Sequence, residues 1–374
     1  MRRTSFLASL LATLVVCVCA TAENINTLPR PVYVSIESMM KQEMEKQETV
    51  GAAIGIVHHG EIVYLQSYGM ADQRDNVPVT TESMFRWASI SKLVTALAAM
   101  QLWEQGKLDL DADVREYVPE FPDKGVKITA RQLMGHQGGI VHYSNGEVIP
   151  TKIDYDVEHP YESVILSLDK FKESPLIGKP GAQFSYTTHG FMLLSAVVER
   201  AGGEAFAKQA HDRIFEPSGM ETMQPDYPWV DIPNRVSGYY KSRRGPRPSG
   251  DRDVHWKLGG GGFISNIEDL TLFAKKILDG GLVKSETLTL MWMEQPTDDG
   301  EATGRGLGFD IQGGGIDFVA QHSGSQNKTR TSLVLIPEQE LAVTFMSNSE
   351  YTDLGGFMQP LIKIMQEHER VNNP

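Results

Sequence analysis

The sequence predicts an α+β fold: an antiparallel sheet assembled from both ends of the chain and flanked by helices, with a mainly helical lobe inserted between the two ends. Residues 50–58 and 61–68 alternate apolar and polar positions around His59-Gly60, the pattern of a β-hairpin. A second strand cluster covers residues 308–312, 315–321, 332–336 and 341–347, the last two flanking Pro337-Glu338. Between these ends, residues 92–105, 129–135, 192–201, 205–215 and 267–278 carry helical periodicity. Met358, Leu361, Ile362 and Met365 repeat at helical spacing within a closing helix over residues 357–369.

Taken in order, the first segment is one to be removed. Arg2 and Arg3 precede an apolar run that ends at Cys19, and Ala20-Thr21-Ala22 supplies a small-x-small terminus. This predicts a secretory signal peptide over residues 1–22, cleaved near Ala22-Glu23, because the run is short for a bilayer span. Cys17 and Cys19 leave with it, so residues 23–374 hold no thiol chemistry and no disulfide. Those residues are expected to form one catalytic domain, with an α/β lobe at about 30–88 and 283–374 and a helical lobe at about 89–282. A periplasmic or secreted location follows, and no later run is apolar enough for stable membrane insertion. The 374 residues are 41% hydrophobic, ample for a large core. The formal charge of −13 excludes a nucleic-acid partner, since no concentrated basic face offsets phosphate repulsion.

After the hairpin, Ser89-Ile90-Ser91-Lys92 opens the helix predicted at 92–105. A serine and a lysine three apart share one helical face. The lysine lowers the cost of deprotonating the serine, and the helix N-terminus favours the negative charge that develops. Taken alone, S-x-x-K is equally a serine cap followed by a solvated lysine, and its surroundings must decide. Those surroundings, Phe85-Arg86-Trp87-Ala88-Ser89-Ile90-Ser91-Lys92-Leu93-Val94-Thr95, resemble the serine β-lactamase and penicillin-recognising family, particularly its class C branch. Tyr186-Thr187-Thr188 resembles that family's tyrosine motif, and His322-Ser323-Gly324 resembles its Lys-Thr-Gly element in a histidine variant. Gly135-His136-Gln137-Gly138-Gly139-Ile140 and Gly259-Gly260-Gly261-Gly262 match further landmarks. The segment from Tyr117 to Pro122, with Trp256, looks most like the branch of mitochondrial serine β-lactamase-like proteins and their bacterial relatives.

The resemblance implies a β-lactamase/transpeptidase-like fold and a serine hydrolase that works through an acyl-enzyme on a small-molecule or peptide substrate, with no cofactor and no metal. Ser89 attacks the carbonyl. Lys92 and Tyr186 share its proton, with Tyr186 protonating the leaving group if nearby cations lower its phenol pKa. The backbone N–H groups of Ser89 and Ser325 form the oxyanion hole, and Thr188, His322, Ser323 and Gly324 bind substrate. Two departures from the family matter. Thr188 replaces the usual asparagine and loses an amide that donates and accepts at once. His322 replaces a lysine, so the charge facing the substrate should follow pH near neutrality. Peptidase or amidase action is therefore expected ahead of esterase action, and both ahead of β-lactamase action. A catalytically silent binding or filament-forming module is the alternative of another class; retention of Ser89, Lys92 and Tyr186 together argues against it.

Other signals carry less. Asp109, Asp111, Asp113 and Glu120 fall at calcium-loop offsets, but the required glycine is Val114. His136, His142, His58 and His59 lack any zinc-site spacing and are expected as surface or loop residues. Gly259 to Gly262 lack a phosphate-loop continuation, which favours close backbone packing. Lys241, Arg243, Arg244, Arg247 and Arg252 are interleaved with glycine and proline and predict a mobile, solvated loop within residues 239–256, the alternative being a loop that overhangs the site and recruits acidic substrate. No G-x-S-x-G elbow occurs.

Overall fold

Seven strands carry the fold: β1 (Ile25–Asn26), β2 (Gly51–His58), β3 (Glu61–Asp72), β4 (Asp310–Gln312), β5 (Val319–Gln326), β6 (Thr329–Ile336) and β7 (Leu341–Ser347). They pair in the order β1-β3-β2-β7-β6-β5-β4, antiparallel throughout. The computed structural model describes residues 24–372, so the segment 1–22 falls outside the described residues. The N-terminal hairpin and the C-terminal strands meet at β2 and β7, where Gly55 faces Thr344. This is the sheet from both termini that the two alternating stretches predict.

Period-two alternation gives the sheet two apolar faces. Ile54 and Ile56 of β2 and Val343 and Phe345 of β7 point to one face. There they pack with Ile36 and Met40 of α1 (Arg30–Gln47) and with Phe357 and Leu361 of the last helix, Leu354–Asn372. On the other face α4 (Ile267–Leu278) lies so close that a Cβ on Gly55 would sit 1.8 Å from Thr271 Oγ1. Thr271 and Thr344 share a hydrogen bond of 2.9 Å there. The larger core continues beyond this layer around α2 (Ser91–Glu104) and α3 (Thr188–Gly202). α2 is buried on nearly every side, as its apolar text requires.

Several elements differ from the sequence expectation. The helix α1 is not singled out by the pattern above; only Val32, Ile36 and Met40, spaced by four, are buried on it. Residues 315–317 form a short 3-10 turn, and β5 starts at Val319 and runs past His322-Ser323-Gly324 to Gln326. The basic stretch is no featureless loop, because Tyr239–Ser242 and Gly245–Pro248 pair as a ribbon. Its Lys241 donates to the Gln47 carbonyl at the C-terminal end of α1, where a cation is favoured. Finally, α4 lies on the sheet, although the expected division assigns it to the helical insertion.

A buried ion pair anchors the strand that leads to Ser89. Arg86 and Asp226, 5% and 0% exposed, meet at 2.5 Å, and Arg235 holds the other oxygen of the same carboxylate. Replacing Asp226 removes the buried partner of Arg86, which keeps only the exposed Asp251, and the partner of the partly exposed Arg235; breaking such a buried pair costs about 3–5 kcal/mol. Asp226→Ala should therefore lower the stability measured by urea unfolding by about that amount, and a change below about 1 kcal/mol would contradict the assignment.

Candidate active site

A left-handed residue sets the nucleophile turn. Ala88 has φ +49°, after which Ala88–Ile90 form a single 3-10 turn that runs directly into α2. Such a conformation costs a non-glycine residue about 1–2 kcal/mol and persists only where its surroundings enforce it. The enforcement is visible on β6 and β5. Thr329 and Thr331 donate their hydroxyls to the Arg86 and Trp87 carbonyls at 3.0 and 2.9 Å. The Trp87 indole donates to Ser265 Oγ at 2.7 Å. Gly324 on β5 lies so near that an added Cβ would stand 2.6 Å from the Trp87 carbonyl and 3.0 Å from Ala88 Cβ.

One turn further on, Lys92 is fully buried. Its Nζ lies 3.1 Å from Ser89 Oγ, 3.3 Å from Thr188 Oγ1, and donates to the Gly260 carbonyl at 2.7 Å. Burial, reinforced by Lys257, holds its pKa well below the usual 10.5. Gly260 can present that carbonyl because it has no Cβ; one would meet Thr188 Cγ2 at 2.5 Å. The close packing expected of Gly259 to Gly262 is borne out in these contacts.

Tyr186 stands beside Ser89, and its ring centroid lies 5.0 Å from Lys92 Nζ. Burial pushes its phenol up to about 12, the reverse of the lowering that the sequence expectation invoked. Two histidines hold the loop that delivers it. His136 Nδ1 accepts from the Thr187 N–H at 3.1 Å, and His142 Nδ1 accepts from the Thr188 N–H at 3.2 Å. These are N–H groups at the start of α3 with no partner inside the helix. His136 is 3% exposed and its ring lies 4.4 Å from that of Tyr186, so it is no surface residue. Both lie in or beside the Gly135-to-Ile140 landmark, the one sequence signal that could have drawn attention to them.

The remaining expected site residues divide. His322 faces the same side of the sheet as Gly324 and lies 6.5 Å from the Tyr186 ring. Burial, Lys92 and Arg305 push its pKa down to about 3. The expectation of a histidine charge that follows pH near neutrality is therefore corrected: the ring is neutral there. Thr188 is 4% exposed and its Oγ1 lies 3.3 Å from Lys92 Nζ, so its hydroxyl helps to position the lysine. Ser323 points to the opposite face of the sheet, where it shares a cleft with Ser332, Leu354 and Met358. Its side chain is not brought to Ser89. The Ser325 side chain points the same way, but its N–H does not. The closing pair Gln326–Thr329 bonds across the two-residue turn, and alternation then leaves the Ser325 N–H on the strand edge beyond the reach of β4. That edge passes the Ser89 turn, and the Ser89 N–H is itself a first-turn donor. The arrangement can take a proton from Ser89 at one atom and offer N–H groups to an oxyanion.

The neutral histidines tie stability to pH. His142 and His189 are held at about 4 and His322 at about 3, against 6.5, with burial the first cause in each. The folded state disfavours their protonated forms, so their contribution is complete above 6.5 and is lost as pH falls from that value towards about 4 for His142 and His189 and about 3 for His322. The urea midpoint should fall steadily over this window, and a flat midpoint would contradict the neutral rings.

The comparisons with known proteins follow the same lines. The mitochondrial serine beta-lactamase-like protein LACTB of Homo sapiens is 30% identical over 329 residues, covering 67% of this chain and 60% of that protein. This chain thus spans less than two thirds of that relative's length. Esterase EstB of Burkholderia gladioli is 29% identical over 201 residues, 50% of this chain and 49% of that protein. The structure of D-amino acid amidase from Ochrobactrum anthropi SV3 superposes with a TM-score of 0.74 at 18% identity, covering 90% of this chain and 99% of the amidase. It supports the α+β fold. The model of the beta-lactamase family matches residues 36–363, and the chain belongs to that family of serine hydrolases.

Proposed function

We propose that this protein cleaves amide or ester bonds through an acyl-enzyme on Ser89, with Lys92 as the base. The observation that carries this is the buried Lys92 amine 3.1 Å from Ser89 Oγ. Environments that push two titratable groups apart assign their roles. Lys92 is lowered and accepts a proton; Tyr186 is raised and donates one. In acylation the Ser89 oxygen bonds to the carbonyl carbon, its proton passes to Lys92, and the Tyr186 proton leaves with the amine or alcohol. In deacylation water attacks the acyl carbonyl and returns a proton to the Tyr186 phenolate, while Lys92 returns its proton to the departing Ser89 oxygen. The Ser89 and Ser325 N–H groups are the proposed donors to the oxyanion of each tetrahedral intermediate, a term worth about 3–4 kcal/mol per donor in comparable sites.

The names of the relatives include an esterase and an amidase, so either bond type is compatible with this machinery. Export with cleavage near Ala22-Glu23 belongs to the same proposal and rests on the sequence pattern of residues 1–22 alone.

Two outcomes test the reading. A fluorophosphonate probe should add one adduct by intact mass to the wild type and none to Ser89→Ala; an adduct that persists in the variant sinks the nucleophile assignment. Lys92→Arg retains length and hydrogen-bond donors but cannot become neutral. It should lower kcat/KM for an activated ester by about 10²–10⁴-fold, the range for a general base, and wild-type-like activity would refute that role.

A further inference from the structure

Resting on the hydrolase reading above, we propose that Lys257 forms an anion-binding subsite at the mouth of the active site, selecting acyl substrates that carry a carboxylate and rejecting those that carry a free ammonium. Lys257 ends the short turn His255–Lys257 and leads directly into Leu258–Gly261, the turn whose Gly260 carbonyl receives Lys92. Its Nζ stands 5.8 Å from the ring centroid of Tyr143. Tyr143 neighbours Thr188, whose Oγ1 lies 3.3 Å from Lys92 Nζ. One half-exposed aromatic ring therefore separates Lys257 from the group that takes the proton, and Trp256 meets the same ring edge-on at 6.3 Å.

Among the described residues no carboxylate pairs with Lys257. The nearby acids are committed elsewhere: Asp253 to His255, and Asp251 to Arg86 and Lys328. The other cation beside the site, Arg305, has its own partner in Asp310 and lies over Phe184. The groups around the nucleophile are otherwise Lys92 and the rings of His136, His142, His189 and His322, none of them acidic. Burial and Arg86 lower the Lys257 pKa only to about 8, so it is mainly charged at neutral pH. A partly buried cation without a counter-ion is stabilised by an arriving anion, whereas an arriving ammonium meets only like charge. The neutral His322 leaves this role open on the strand side of the cleft.

The test compares para-nitrophenyl esters of one acyl chain length ending in a carboxylate, its methyl ester, or an ammonium. The wild type should show kcat/KM at least tenfold higher for the carboxylate than for the methyl ester, with the ammonium lowest. Lys257→Met should collapse the carboxylate-to-methyl-ester ratio towards one, and Lys257→Arg should keep most of it. Because a ratio is read, a general loss of activity in one variant does not imitate the result. Binding to Ser89→Ala, followed by tryptophan fluorescence, reads recognition without turnover and should show the same tenfold preference, lost when Lys257→Met is added. Equal binding of the three esters, or a preference unchanged by Lys257→Met, overturns the proposal. Charge-selective binding without Ser89-dependent turnover in the wild type would uphold the subsite and fail the hydrolase reading instead.

Discussion

A lysine amine buried without a carboxylate beside it is the constraint around which the rest of the site is arranged. Burying an ammonium unpaired costs several kcal/mol, and the cheaper state is the neutral amine. That state still needs hydrogen bonds. The Gly260 carbonyl, the Thr188 hydroxyl and the Ser89 hydroxyl supply them, each from a different segment of the chain. The glycine turn exists to bring a carbonyl where any side chain would collide with Thr188. The same dry surroundings raise the Tyr186 phenol, so a single cause, exclusion of water, separates the base from the acid.

The sheet is what holds this arrangement in place. Strand β6 bonds to the two carbonyls before the nucleophile turn, and β5 passes close enough to require Gly324. Arg86 and Trp87 are fixed to the sheet through their carbonyls and Ala88 by close packing, while the ion pair to Asp226 and the indole hydrogen bond to Ser265 tie the same segment to chain outside the sheet. The helix start that carries Tyr186 is tied down independently by His136 and His142. Serine and tyrosine therefore sit on two separately braced elements that meet over Lys92. Such bracing is what holds reacting groups in a productive geometry without reorganisation at the moment of reaction.

Local chemistry was legible in the sequence, and long-range burial was not. Ser89 and Lys92 lie within one turn, so their spacing alone places them together, and the hairpin of β2 and β3 announces itself by alternation and a glycine turn. Tyr186 was accessible through its motif. The errors share one origin. The His322 ring is kept neutral first by burial, which no local pattern encodes, and then by Lys92 and Arg305 from other segments of the chain. Strand alternation turns the Ser323 side chain away from its neighbours His322 and Gly324, a placement that the motif alone does not show. The structural use of His136 and His142, and the isolation of Lys257, appear only when loops distant in sequence converge.

The claim on which everything else rests is that Lys92 is a neutral amine at working pH. Lysine side chains labelled with carbon-13 at Cε, titrated by NMR in the wild type and assigned by comparison with Lys92→Arg, read this directly. A Lys92 resonance already at its amine position at pH 8, with its transition well below 10.5, is the predicted result. A resonance at the ammonium position at pH 8 that titrates near 10.5 would contradict it.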